Sequence, residues 1–203
     1  MPILVAYASK HGATQGIAER VAKTLVAGGR DARALRVVDV ADPAAYSAFV
    51  LGSAVYMGTW RKEASSFIRQ NSALLATRPV WLFCSGPLGA ATADDKERDV
   101  LVASRPKEFA EFEAMITPRD LAVFRGSLDP HQRDSASWLL RRLPAGRRLL
   151  PTGDFRNWEA ITAWAESIAL SLPAPRGAVS NITARPAPTG APGSHLPEVE
   201  TRF

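Results

Sequence analysis

The sequence predicts an α/β protein: a doubly wound, five-stranded parallel sheet in the order 2-1-3-4-5 with helices on both faces. Three observations lead there. Short, near-continuous apolar runs such as Ile3 to Tyr7 and Val80 to Ser85 have the pattern of strands covered on both sides rather than on one. Segments with apolar residues at helical spacing lie between the runs. Strand and helix alternate through short connections, which is the signature of a parallel sheet flanked by helices.

The elements follow in order. Ile3, Leu4, Val5, Ala6 and Tyr7 form the first strand, and Thr14 to Ala27 carries the spacing of the first helix. Gly28-Gly29 is a helix-ending signal. Ala32 to Val38 is expected as the second strand, Phe49 to Ala54 as the third, Val80 to Ser85 as the fourth and Leu121 to Leu128 as the fifth. Lys62 to Leu75 places Ala64, Phe67, Ile68 and Leu75 on one helical face. Lys107 to Ile116 is a further helix, and Trp158 to Leu170 a final one with Ile161, Trp164, Ala165 and Ile168 inward. The connections Leu88 to Pro106 and Asp129 to Asp154 are longer than the fold needs, the second holding a helical stretch from Arg133 to Leu143; such loops are functional or disordered. Residues 1–171 are expected as one domain and 172–203, rich in Pro, Ala and Gly, as a flexible tail.

Composition bounds the function. A chain of 203 residues with 46% hydrophobic side chains can bury an ordinary core. Its single cysteine, Cys84, excludes an internal disulfide and a Cys-rich metal site, and as a strand residue it reads as buried. The start M-P-I-L-V runs straight into a strand with no charged leader, so the expected compartment is the cytoplasm. The longest uncharged stretch, Ala44 to Trp60, is broken by Ser47, Gly52, Ser53 and Gly58, and reads as strand plus loop and not as a membrane span. A net charge of +5 and a pI near 9.8 point to an anionic partner, a lipid surface or a small molecule, against the plainer alternative of solvated arginines. Nucleic acid is not expected, because no helix-turn-helix, zinc-finger or RNP pattern is present.

In a sheet of order 2-1-3-4-5, ligands bind beyond the carboxyl ends of the strands at the switch point between the first and third. Three loops converge there: Ser9 to Thr14, Gly52 to Trp60 and Ser85 to Gly89. The first joins a strand to a helix start, where free N–H groups and the helix dipole favour an anion, and Ser9, Thr14 and Lys10 add hydroxyls and charge. Its alternative is a capped helix start, with Ser9 or Thr14 as the cap. It is neither a nucleoside-triphosphate loop nor a three-glycine dinucleotide fingerprint. The second loop, with Tyr56, Met57 and Trp60, offers aromatic and thioether surface for a flat ring, or else ordinary packing beneath a loop. The third offers backbone groups at a turn, suited to the edge of a heteroaromatic ring.

The motifs Ser9-Lys10-His11-Gly12-Ala13-Thr14, Gly52 to Gly58, and G-D-F-R-N-W-E-A-I-T-A-W-A at Gly153 to Ala165 identify the chain as resembling the flavodoxin superfamily. Within it the chain is similar to the menaquinone-dependent protoporphyrinogen oxidase group and its actinobacterial flavodoxin-domain relatives. The resemblance spans roughly Ile3 to Leu170, and its subgroup part leans on the basic segment Ser135 to Leu150. It implies bound FMN, held at Ser9, Lys10, His11, Gly12, Ala13 and Thr14 for the phosphate, and at Ala54, Val55, Tyr56, Met57, Gly58, Ser85, Gly86, Pro87 and Leu88 for the isoalloxazine. A deazaflavin in the same cleft stays open. His11 contributes its backbone N–H. The resemblance also implies an oxidoreductase of heme biosynthesis that passes electrons from a reduced small-molecule substrate, such as protoporphyrinogen, to quinone or dioxygen. A basic surround favours the reduced, anionic cofactor, whereas electron carriers of the superfamily are typically acidic. The basic Asp129 to Leu150 segment is suited to peripheral contact with an anionic membrane, or to capping the sheet. Arg61, Lys62 and the arginines between 133 and 148 are candidates for substrate carboxylates. No catalytic side chain and no metal ligand is assigned. The rivals are a non-catalytic electron carrier docking to a protein redox partner and a domain that has lost its cofactor.

Overall fold

The computed structural model describes residues 2–89, 99–129 and 152–173. The helical stretch expected at Arg133 to Leu143, the basic segment Ser135 to Leu150 and nearly all of the Pro-rich tail lie outside the described residues.

Five strands form the parallel sheet: β1 (Ile3–Ala8), β2 (Ala32–Arg36), β3 (Ala48–Tyr56), β5 (Val80–Ser85) and β6 (Asp120–Phe124). They are hydrogen-bonded in the order β2-β1-β3-β5-β6, with every one of these pairs parallel. Counting these strands alone, the order is the expected 2-1-3-4-5. A short β4 (Thr59–Trp60) folds back on β3.

Because side chains alternate along a strand, each strand feeds two cores. Ile3, Val5 and Tyr7 of β1 face α1 (Ala13–Ala27) and the last described helix, α6 (Trp158–Ser171), packing with Ile17, Val21, Leu25, Ile161 and Ile168. Leu4, Ala6 and Ala8 face the other way, toward α2 (Lys62–Gln70), α3 (Ser72–Leu75) and α5 (Glu108–Ile116), meeting Phe67, Ile68, Leu75, Phe109 and Phe112. This two-sided burial explains why the strands read as unbroken apolar runs. Cys84 belongs to the second core, and burial pushes its thiol up to about 12, so it is inert packing.

The ends of elements depart from expectation for local reasons. The helix expected over Lys62 to Leu75 divides at Asn71, whose side chain donates to the Phe67 carbonyl (2.8 Å) and closes the turn. The second strand stops at Arg36 because Val37–Asp39 winds into a 3₁₀ turn that buries Val37. The fifth strand stops at Phe124: Gly126 donates to the Pro87 carbonyl (3.1 Å) and turns the chain off the sheet. Ser127–Leu128 (β7) then pairs antiparallel with Gly153–Asp154 (β8). A single turn, α4 (Val100–Ala103), interrupts the expected loop, capped by Asp99 accepting from Leu101 and Val102 N–H. At the far end of α6, Arg30 donates to the carbonyls of Ala169, Leu172 and Pro173, a cation at a helix C-terminus where the dipole favours it.

Gly52, in the middle of β3, lets Phe83 of β5 lie across the sheet: a Cβ there would stand 2.0 Å from the Phe83 ring. Gly52→Ala is therefore expected to destabilise the fold by about 3 kcal/mol, read as a lower urea midpoint. Adding Phe83→Leu should recover part of the loss, since the two residues are in contact.

Candidate functional site

The register of the three central strands brings the three loops together. Ala8 at the end of β1 stands beside Ser53 of β3, and Ala54 beside Ser85 at the end of β5. The chain therefore leaves β1 and β5 on either side of β3, at one edge of the sheet.

After β1 the chain turns through Ser9–Gly12 into α1. Gly12 sits at the N-cap with φ of 83°, a left-handed conformation that glycine adopts without strain. A Cβ on Gly12 would meet nothing within 4 Å, so the space above the loop is open. Ser9 Oγ accepts the N–H of Gly12 (3.0 Å), holding the loop in shape. No side chain caps α1, and no acidic residue occupies its first turn. The capped-start alternative for Ser9 and Thr14 therefore does not hold. The Thr14 hydroxyl, fully buried, instead shares a 2.7 Å hydrogen bond with Ser85 Oγ. That bond ties the first loop to the third. The N-terminal N–H groups of α1 and the positive end of its dipole are thus left for an anion.

β3 runs two residues past its expected end, to Tyr56, and turns back through Met57 and Gly58 into β4. Both turn residues have positive φ, 52° and 75°, as the two-residue hairpins that match strand twist require. Thr59 Oγ1 donates to the Tyr56 carbonyl, and the N–H of Lys107 to the Gly58 carbonyl, at 2.9 and 3.1 Å. Below the hairpin, Trp60 is core: it is 4% exposed, its ring centroid lies 5.6 and 5.4 Å from Phe109 and Phe112, and its backbone N–H donates to Glu108. Of the aromatics proposed for a flat ligand, Trp60 is accounted for by packing. Tyr56 at 44% and Met57 at 100% exposure stand at the rim. On the opposite rim, Gly86 leaves space bounded by Val55 and Ser104.

Two grooves flank the first loop. One, of about 440 Å³, is lined by Lys10, Tyr56, Trp60, Arg61, Lys62 and Glu63. Buried Ser53 accepts the Arg61 backbone N–H (3.0 Å), which aims that residue toward this groove. Burial pulls the Glu63 carboxyl upward, but its own backbone N–H and the Arg61 guanidinium outweigh burial and leave it below the usual range. The other groove, of about 420 Å³, is lined by His11, Gly12, the β7–β8 ribbon and Arg156. Arg156 donates to both Asp154 oxygens and to the Ala13 carbonyl. Its guanidinium, hydrogen-bonded to Asp154, holds that carboxyl below the usual range against the opposing effect of burial. Among the described residues no cluster of His, Cys, Asp and Glu is arranged to hold a metal, and no helix is long and apolar enough to cross a membrane.

Comparison with known proteins agrees with this architecture. The flavodoxin domain family matches residues 4–136 of the 203. The chain belongs to that family. Its cofactor is accordingly FMN, and its general role is that of an electron-transfer flavoprotein. Among solved structures, flavodoxin 2 from Bacillus cereus is 20% identical with a TM-score of 0.53, the match covering 85% of this chain and 100% of that one. A mutant flavodoxin from Pseudomonas aeruginosa is 14% identical with a TM-score of 0.52, covering 84% and 97%. Rubredoxin oxygen:oxidoreductase from Desulfovibrio gigas is 13% identical with a TM-score of 0.50; the match covers 83% of this chain but 35% of that one. Identities this low speak to the fold. Among curated proteins none matches the sequence.

The expected cofactor residues thus gather at one edge: Ser9 to Thr14 on the first loop, Ala54 to Gly58 on the hairpin, and Ser85 to Leu88 after β5. Three features escaped sequence reasoning: the Thr14–Ser85 bond, the hold of Lys107 on the turn, and Arg156 beside α1. Only Arg156 had a local signal, in the D-F-R-N-W run before the last helix.

Thr14→Val should leave Ser85 Oγ buried without its partner and cost about 1–3 kcal/mol, measured by chemical denaturation; adding Ser85→Ala should restore part of it. For Asp154 the folded value lies below the ordinary 3.8. Its ion pair therefore stabilises fully above that value, and the contribution is lost as pH falls below it toward the folded value. Asp154→Asn should flatten this part of the acid limb in thermal melts taken from pH 5 downward.

Proposed function

We propose that the chain is an FMN-dependent oxidoreductase that oxidises a reduced, carboxylate-bearing small molecule at an open cofactor edge and passes the electrons to quinone or dioxygen. The observation that carries this reading is the groove of Lys10, Arg61 and Lys62, net positive although Glu63 pairs with Arg61, beside exposed Tyr56 and Met57. Such a groove attracts anionic substituents and orients them by charge-assisted hydrogen bonds. Protoporphyrinogen, with its propionates, is the substrate suggested by the sequence resemblance alone.

In this reading Ser9, Lys10, His11, Gly12, Ala13 and Thr14 hold the FMN phosphate. The open N-terminus of α1 supplies N–H donors, Gly12 the close approach, and Thr14 with Ser85 the anchor beneath. Ala54, Val55, Tyr56, Met57 and Gly58 on one side, and Ser85, Gly86, Pro87 and Leu88 on the other, enclose the ring. FMN when bound supplies the redox chemistry, while the protein supplies placement and electrostatics. Arg61, held at its backbone by Ser53, and Lys62 orient the substrate at the rim.

A second reading, a carrier that docks to a protein redox partner, is favoured by the fully exposed Met57 and by Tyr56 at the same hairpin tip, since apolar tips of this kind suit a protein interface. The two are separated by loading the purified chain with FMN, confirming it by visible absorption and release on heating, and mixing it anaerobically with protoporphyrinogen. Bleaching by the small molecule and recovery with menaquinone support the oxidoreductase; bleaching only by a partner reductase supports the carrier. In the first case the Arg61→Glu, Lys62→Glu double variant should raise KM for the donor roughly tenfold with kcat changed less, in steady-state assays.

A further inference from the structure

We propose that Arg156 is a positioning residue for the cofactor phosphate: it clamps the first turn of α1, and so sets the preference of the site for FMN over phosphate-free riboflavin. The inference rests on the placement of the FMN phosphate at the first loop.

Four contacts converge on this side chain. Nε and Nη2 donate to the two oxygens of Asp154 at 2.8 and 2.6 Å. Nη1 reaches across to the Ala13 carbonyl at 3.3 Å. The guanidinium lies over the Trp158 ring, 4.3 Å from its centroid, and Arg20 of α1 also lies over that ring at 5.2 Å. Gly16 completes the arrangement, because a Cβ at that position would stand 2.5 Å from Nη1. The head group therefore joins β8 and the start of α6 to the one helical turn whose N–H groups face the phosphate. His11 and Gly12 line the same groove.

Direct attraction is the weaker explanation of its role. The bidentate Asp154 leaves the pair with little net charge, and a second carboxylate, Asp129, lines the groove. A dipolar pair acts on a neighbouring anion mainly through the geometry it imposes. An anion site made of backbone N–H groups loses affinity steeply when those groups are free to splay. Riboflavin, lacking the phosphate, makes no use of that turn. A clamp acting there changes FMN binding and spares riboflavin, whereas a general loss of packing weakens both.

The test uses the full chain, with dissociation constants for FMN and riboflavin measured by quenching of flavin fluorescence. Arg156→Met removes the clamp. Gly16→Ala keeps every charge and favours the helix, but its methyl group displaces Nη1. Both are expected to weaken FMN roughly tenfold while riboflavin changes by less than about twofold, with Arg156→Lys in between because an ammonium lacks the bidentate fork. Should Arg156→Met fail to fold, Gly16→Ala decides alone. Equal losses for both flavins, or unchanged FMN binding, would overturn the clamp while leaving the phosphate placement intact. A wild-type chain that binds riboflavin as tightly as FMN would overturn the phosphate placement and the clamp together.

Discussion

The parallel register of β1, β3 and β5 is the constraint on which the rest of the molecule depends. Backbone hydrogen bonding sets Ala8 against Ser53 and Ala54 against Ser85, so the loops that follow must emerge as neighbours. Both faces of these strands are buried, and a one-residue slip would move every side chain to the opposite core. The packing of Phe83 over Gly52 supports the same register, since a Cβ at position 52 would force the ring to move. The site is thus a by-product of how the sheet is held.

Among the described helices α1, α2, α3 and α5 start without a side-chain cap; α2 and α5 carry acidic residues in their first turns, and α1 carries none. Asn157 caps α6, accepting from Ala160 N–H (3.0 Å), and Asp99 caps α4. α1 has a glycine at its cap and spends its nearby hydroxyls elsewhere, Ser9 on Gly12 and Thr14 on Ser85. A helix start left without a side-chain cap is costly unless a ligand or water completes it. An anionic group supplied from outside is one such completion, and it is the one the proposed placement of the cofactor phosphate would provide.

The ring side of the site is built differently, by leverage from the second core. Trp60 is sunk among Phe109 and Phe112, Glu108 accepts its backbone N–H, and the backbone N–H of Lys107 holds the Gly58 carbonyl. The start of α5 therefore braces the hairpin from below, leaving Tyr56 and Met57 at the rim. Basic residues beside that rim, offset in part by Glu63, leave the open edge net positive, and the proposed preference for an anionic donor rests on that charge.

By itself the sequence determined the sheet, its strand order and the three loops, because two-sided burial writes itself as apolar runs and glycines mark the turns between helix and strand. It also marked out the loop proposed here for the phosphate, since Ser9, Gly12 and Thr14 fall within six residues between a strand and a helix. Tertiary structure alone decided what each of those residues does. Thr14 meets a serine 71 positions away, Trp60 turns into the core because Phe109 and Phe112 wait there, and the fifth strand ends early because Gly126 bonds to Pro87. Arg156 reaches Ala13 across 143 positions. Local patterns report which face a residue prefers; the partner that claims its hydrogen bonds is a long-range choice, made when the strands align and the helices settle on the sheet.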